Sequence, residues 1–423
     1  MKTRRLLTAT AGTFLICGLG GAGLVHLQGR GARAMAAQMA RGKALGMPGS
    51  PADLGIPLDD PAQNAAMLYK RLAGERAFQK AGELASSEIY PADAAAVRAF
   101  DVALQPVQAN LSEFERATKL PVCRFNRRFD YTDRFSAVQS LMRSSSKLLA
   151  TRARREASGG DPVKAMETLA VASRAAAHAG QDPDFIAKLV QASMERVVVR
   201  AAQEVLTDHG RKPEVRAAAR RMIAALGPDI RIKDYIKGAW LEFRHLQSIT
   251  DQEFEMELEA IEDASKSAGS SLFGISSSGK GDRLEQETNV ARFLLDAYET
   301  LPEDPMDIEG TRRAVRKVQD DLDQAGSRAL LAQQVARPDV DSLVTATTAK
   351  VKRHLLETLL DALEKPTPPP KLPLQGQAAI DPFSGKPYNY RASAEEIKIR
   401  LGSAWAVTQE GKMEVRGRDL VGG

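Results

Sequence analysis

Apolar positions three and four residues apart run through most of this chain, and the stretch from Asp161 to Gly210 shows the pattern most plainly. In DPVKAMETLAVASRAAAHAG, Val163, Met166, Leu169 and Ala170 fall on one side of a 3.6-residue turn, and Gly180 ends the run. In DPDFIAKLVQASMERVVVRAAQEVLTDHG, Ile186, Leu189, Val190, Met194, Val197 and Val198 repeat such a face before Gly210. Each run opens on an aspartate and a proline, Asp161-Pro162 and Asp182-Pro183, and Asp60-Pro61 repeats the signal. A carboxylate can accept from the first free N–H groups, and proline fixes φ at the first helical position. Two antiparallel helices joined by a tight turn are predicted here.

Further helices are predicted over about 213–226, 232–266, 282–301, 306–336 and 339–364, so that residues 61–365 form one α-helical domain. The two D-P starts lie 21 residues apart and no third copy of the pair follows, which departs from the roughly 34-residue period of tetratricopeptide arrays. Past Lys365 the pattern changes. Prolines crowd EKPTPPPKLPLQG, predicting a stiff extended spacer over 366–376. Residues 377–423 read as a small region of turns and strands, with IKIRLGSAWAVTQEGKMEVRG alternating around QEGK as in a hairpin.

The other end is apolar. Leu6–Leu27 holds 22 residues without Asp, Glu, Lys or Arg, and a helix of that length crosses a hydrocarbon layer of about 30 Å. Residues 1–28 therefore read as a basic tail and an uncleaved transmembrane anchor, and the Gly-, Ala- and Pro-rich residues 29–60 as a flexible tether. Basic residues flank both ends of the span, with Lys2, Arg4 and Arg5 before it and Arg30, Arg33, Arg41 and Lys43 after it. A short basic N-terminus stays in the cytoplasm, which places the bulk of the chain outside. The fold class expected is mainly α: an N-terminal transmembrane helix, an antiparallel helical array or bundle, and a small β-containing C-terminal appendage.

Composition supports helix-on-helix packing, since aromatics make up only 5% of the chain while alanine is abundant. The net charge of +5 is a small difference between 59 basic and 54 acidic residues, so a mixed-sign surface is expected rather than a nucleic-acid footprint. Of the two cysteines, Cys17 lies in the apolar run, which leaves Cys123 as a lone, buried thiol.

Four features bear on chemistry. GISSSGKG at 274–281 matches the phosphate-loop pattern except at Gly281, where the hydroxyl that would hold magnesium is missing. No apolar strand precedes it, so residues 267–281 read as a poorly ordered Ser/Gly connection. Glu255, Glu259 and Glu262 share a helix face, and Phe254, Leu258 and Ile261 form the complementary apolar stripe, which fits a solvated amphipathic helix better than a metal site. CRFNRRFDYTDRF at 123–135 interleaves arginines and aromatics, and Asp130 and Asp133 point to local ion pairs and cation–π packing. His26, His178, His209, His245 and His354 are scattered, and each reads as a surface or capping residue. No catalytic, cofactor-binding or metal-ligating residue is assigned, no cofactor is implied, and no nucleic-acid partner is expected.

The basic apolar N-terminus, the segment LPVCRFNRRFDYTDRFSAVQSLMRSSSKLLATRARREASGGDPVKAMETL, the helix pair through Leu206 and DPFSGKPYNYR together carry a resemblance. The chain resembles a group of membrane-anchored α-helical bacterial proteins of unassigned activity that share the C-terminal DPFSGKPY-type motif. In that group the tail continues through a Gly- and Asp-rich stretch, whereas here it ends GRDLVGG. DPFSGKPY is also similar to a turn of secretion pseudopilins, but the processing site at the head of their apolar helix is missing. A shared turn accounts for the likeness: Pro382 and Pro387 fix φ, and Gly385 permits a positive one.

The expectation is a single-pass inner-membrane protein whose extracytoplasmic helical region acts as a scaffold or interaction module for a protein partner. The alternatives are an envelope enzyme whose active site is assembled from distant residues, and a pseudopilin-like secretion component.

Overall fold

The computed structural model describes residues 31–54, 62–85, 94–125, 136–183, 185–256, 283–304, 306–326, 331–332, 340–367, 369–383, 385–392, 397–400, 405–408, 412–415 and 420–422. The chain is mainly helical. We number the helices α1 (31–44), α2 (Ala66–Ala73), α3 (Arg76–Leu84), α4 (Ala94–Leu104), α5 (Gln108–Ala117), α6 (Ser136–Ser158), α7 (Pro162–Ala179) and α8 (Phe185–His209). Next come α9 (Pro213–Ala224), α10 (Ile232–Ser248), α11 (Arg283–Thr300), α12 (Ile308–Ala325) and α13 (Val340–Leu363). No helix among the described residues is long and apolar enough to cross a membrane, and the predicted span 6–27 lies outside them.

Alanine lets α6, α7 and α8 pack closely. Ala165, Ala172, Ala175, Ala176 and Ala179 of α7 are buried, with Met166 and Leu169 at 0% exposure between them. Burial of side chains of the latter size is worth about 1.5–3 kcal/mol each. α7 starts as its sequence predicts: Pro162 is the first helical residue and the Asp161 carboxylate accepts from Lys164 N at 3.1 Å. The α8 face departs at its start, where Ile186 is exposed.

Two large cores result. The first joins α2 through α9 to α13 and takes in Tyr388, Ile397 and Ile399 from the C-terminal region. The second gathers Met35 and Met47 around α1, together with Tyr235, Trp240 and Phe243 of α10, Phe293 and Leu294 of α11, and Val315 and Leu322 of α12. Residues 31–44 are thus helix where a tether is predicted, because Met35 and Met39 stand four apart on an alanine-rich segment. Arg41 fastens α1 to α11 through Asp296 at 2.7 Å and Glu299 at 2.6 Å.

Two predicted helices are shorter than their sequence pattern. The run 232–266 breaks after Ser248, with Ile249 extended (ψ 158) and helix resuming at 251–256. Thr250 N donates to the Glu253 carboxylate at 2.8 Å while Glu253 N donates to Thr250 Oγ1 at 3.3 Å, a reciprocal cap that starts a new helix. The run 306–336 is interrupted after Ala325, where Gly326 takes φ +55, and residues 331–332 are helical again.

The C-terminal strands are short. β1 (Asn389–Ala392) pairs antiparallel with β2 (Ile397–Arg400), which pairs with β5 (Leu420–Gly422). β3 (Trp405–Thr408) and β4 (Lys412–Val415) form the expected hairpin, with Thr408 opposite Lys412. Strands β2 and β5 pack on α13, and β5 also packs on α8. The DPFSGKPY turn closes through Gly385 N to Asp381 O at 2.9 Å, with Gly385 at φ +66.

Candidate functional site

A cleft of about 460 Å³ lies where four segments distant in sequence meet. Its walls are Asp229 from the loop after α9, Asp304 and Met306 from the loop before α12, and Lys350, Arg353, His354 and Glu357 of α13, closed by Ala378. The four α13 residues stand at i, i+3, i+4 and i+7, a single helix face. Asp229 is held by Lys350 Nζ at 3.1 Å and lies 3.8 Å from Arg353 Nη1. Arg353 also donates from Nη1 to Gly227 O at 2.7 Å and from Nε to Glu357 at 3.4 Å. These bonds lock the loop after α9 onto α13. The loop needs Gly227, whose φ of +77 is costly for any side chain.

His354 Nε2 is buried and has no hydrogen-bond partner among the described residues. A buried imidazole nitrogen without a partner costs free energy, and this one is closed off from solvent although His354 lines the cleft. Behind the wall, Glu195 of α8 is 3% exposed and accepts from Gln191 Nε2 at 2.8 Å. Burial raises its carboxyl to about 7, against the opposing pull of Gln191, Arg353 and Lys188.

Of the sequence motifs with candidate chemistry, no described residue lines this cleft apart from His354. GISSSGKG at 274–281 lies outside the described residues, as do Glu259 and Glu262, while Glu255 is half-buried beside the buried Phe254. Among the described residues no three His, Cys, Asp or Glu side chains are placed to hold a metal ion. From 123–135 the structure describes Cys123, Arg124 and Phe125, all buried. Arg124 Nε donates to Asp182 at 2.7 Å and Phe125 N donates to the other oxygen at 2.9 Å. Asn64 binds Arg124 through both its backbone groups, at 3.0 Å each. Pro183 is not the first helical residue that its sequence predicts, since it lies outside the helix and α8 is described from Phe185. Cys123 is a free buried thiol, pushed well above its usual pKa chiefly by burial.

His178 is buried rather than a surface residue. It sits between Tyr69 Oη at 3.1 Å and Leu120 O at 2.9 Å, and burial lowers its pKa to about 4. The cleft itself escapes sequence reading in part. KVKRHLLE shows the charged stripe of α13, but Asp229 and Asp304 carry no local signal and reach it only through the fold. Comparisons with protein-family models, curated proteins and solved structures give no match.

Proposed function

We propose that this chain is a helical interaction protein, tethered to the inner membrane by residues 6–27 with its bulk outside the cytoplasm, that receives a segment of a protein partner in the α13 cleft. The observation that carries the reading is the cleft: about 460 Å³ walled by residues of both signs, with His354 among them. Ligand sites favour such concave seams between packed units, with a few convergent polar groups that fix orientation. A partner segment bearing charges of both signs matches these walls.

The test is a photo-crosslinking residue at Ala378, on the cleft rim and outside its ion pairs, in intact cells. A reproducible adduct that disappears on Arg353→Glu supports the proposal. An adduct pattern unchanged by that substitution, or none, sinks it. A reporter fused after Gly423 tests the topology, with activity expected only on export.

One observation favours an envelope enzyme as a second reading. Glu195, raised to about 7, sits one layer behind a cleft that gathers Asp, His and Arg side chains, and carboxyls in this range serve as general acids at neutral pH. That reading requires Glu195→Gln to abolish a turnover while the Ala378 adduct persists.

A further inference from the structure

The opposite seam between α8 and α13 carries a second feature. Arg196 and Arg200 stand four apart on α8 and share a face of that helix. The two helices run parallel. Ala192 near the start of α8 packs with Ala346 and Ala349 of α13, and a Cβ placed on Gly210 just past the end of α8 would meet Leu363 Cδ1 at 3.2 Å. That register brings Lys352 level with Arg196. Glu195 and Arg353, the next residues on either helix, belong to the cleft seam about 100° away.

Two of these three cations lack an acidic partner among the described residues. Glu204 accepts from Arg200 Nε at 3.2 Å and also from Arg154 of α6, so one carboxylate serves two guanidinium groups. Among the described residues Arg196 and Lys352 have neither a carboxylate partner nor a hydrogen bond. Both side chains are half-buried. Burial lowers the pKa of Arg196, and burial together with Arg196 and Arg200 brings Lys352 down to about 8. Placing like charges together in a partly dry seam costs free energy unless an anion joins them.

We infer that Arg196, Arg200 and Lys352 form a binding site for a phosphate-bearing anion, separate from the α13 cleft. A phosphate group presents several acceptor oxygens and up to two negative charges, so it can meet two guanidinium groups and an ammonium at once. A free phosphate ester and the headgroup of an anionic phospholipid share this chemistry.

The experiment follows thermal unfolding of the full chain in neutral detergent. Inorganic phosphate is titrated against chloride at matched ionic strength, then short-chain phosphatidylglycerol against phosphatidylcholine. A ligand that binds only the folded state raises its unfolding temperature with concentration. Arg196→Gln and Lys352→Met are each expected to weaken the response about tenfold or more, the value of a lost charge-assisted bond. Arg221→Gln, on the exposed surface of α9, should leave it unchanged. A response to both probes that is lost in the two variants supports a site for the phosphate group itself. A response to phosphatidylglycerol alone, lost in the same variants, supports it with a lipid headgroup as the source. No response to either probe, or one that survives both substitutions, overturns the site.

Discussion

Removing the Asp182 carboxylate takes the acceptor from the Nε of a buried guanidinium, because Arg124 and Asp182 are 4% and 2% exposed. Breaking a buried pair from one side costs about 3–5 kcal/mol, whereas replacing both ends with apolar groups costs less. Denaturant titration of Asp182→Ala should therefore show a larger loss than the double change Arg124→Met with Asp182→Leu; equal losses would remove the ion pair from the explanation. Glu195 gives a pH signature. Its carboxyl titrates at about 7 in the fold against 4.5 in the open chain, and it faces Gln191 and Lys188 on α8, Arg353 on α13 and Asp229. The folded state holds the proton more tightly, so this group's contribution is fully present below pH 4.5 and is lost as pH rises through about 7. The loss is on the order of 3 kcal/mol. Stability of the native chain minus that of Glu195→Gln, measured from pH 4.5 to pH 8, should fall by that amount, and a flat difference would remove the effect. Neither prediction is legible in the sequence, since burial of Asp182 and Glu195 comes from residues far along the chain.

At the scale of elements, periodicity located the helices from α7 onward and local chemistry ended several of them, whereas α1 falls in the predicted tether and α2 to α6 are legible only as part of a helical region. Asp161-Pro162 and Gly180 set the limits of α7, because cap, first turn and stop all lie within its own sequence. The break after Ser248 is equally local but harder to see: Thr250 and Glu253 spell a capping box inside a run whose apolar spacing continues through it. Thr250→Ala should cost about 1 kcal/mol, read from the denaturation midpoint, while an exposed change such as Gln252→Ala should be near neutral. Gly238 exposes the limit of helix-by-helix reasoning. It lies within α10, where glycine is a poor helix former, yet an added Cβ would overlap the Pro183 carbonyl between α7 and α8. Gly238→Ala should destabilise by about 1–3 kcal/mol despite its better helix propensity; a stabilised variant would show that the helices part freely.

Over the whole molecule, the chain starts with α1 in the second core, enters the first from α2 to α9, completes the second from α10 to α12, and returns to the first through α13. The sequence made the mainly helical class plain but not this division, because both cores use the same alanine-rich apolar spacing and only contacts separate them. Nor did the proline-rich stretch betray that the chain rejoins the first core past it, where Tyr388, Ile397 and Ile399 are buried. Truncation after Lys365 should therefore lower the unfolding temperature of the first core, whereas an unchanged transition would make the strands dispensable.

The return of α13 also sets an order of assembly. α8 is complete at His209, but the helix that covers its flank begins at Val340. A ribosome adding about 5–20 residues per second leaves that flank without its cover for on the order of 10 s. During translation the nascent chain displays an alanine- and valine-rich surface that its own sequence cannot yet hide, and holding it apart from its neighbours falls to the chaperones.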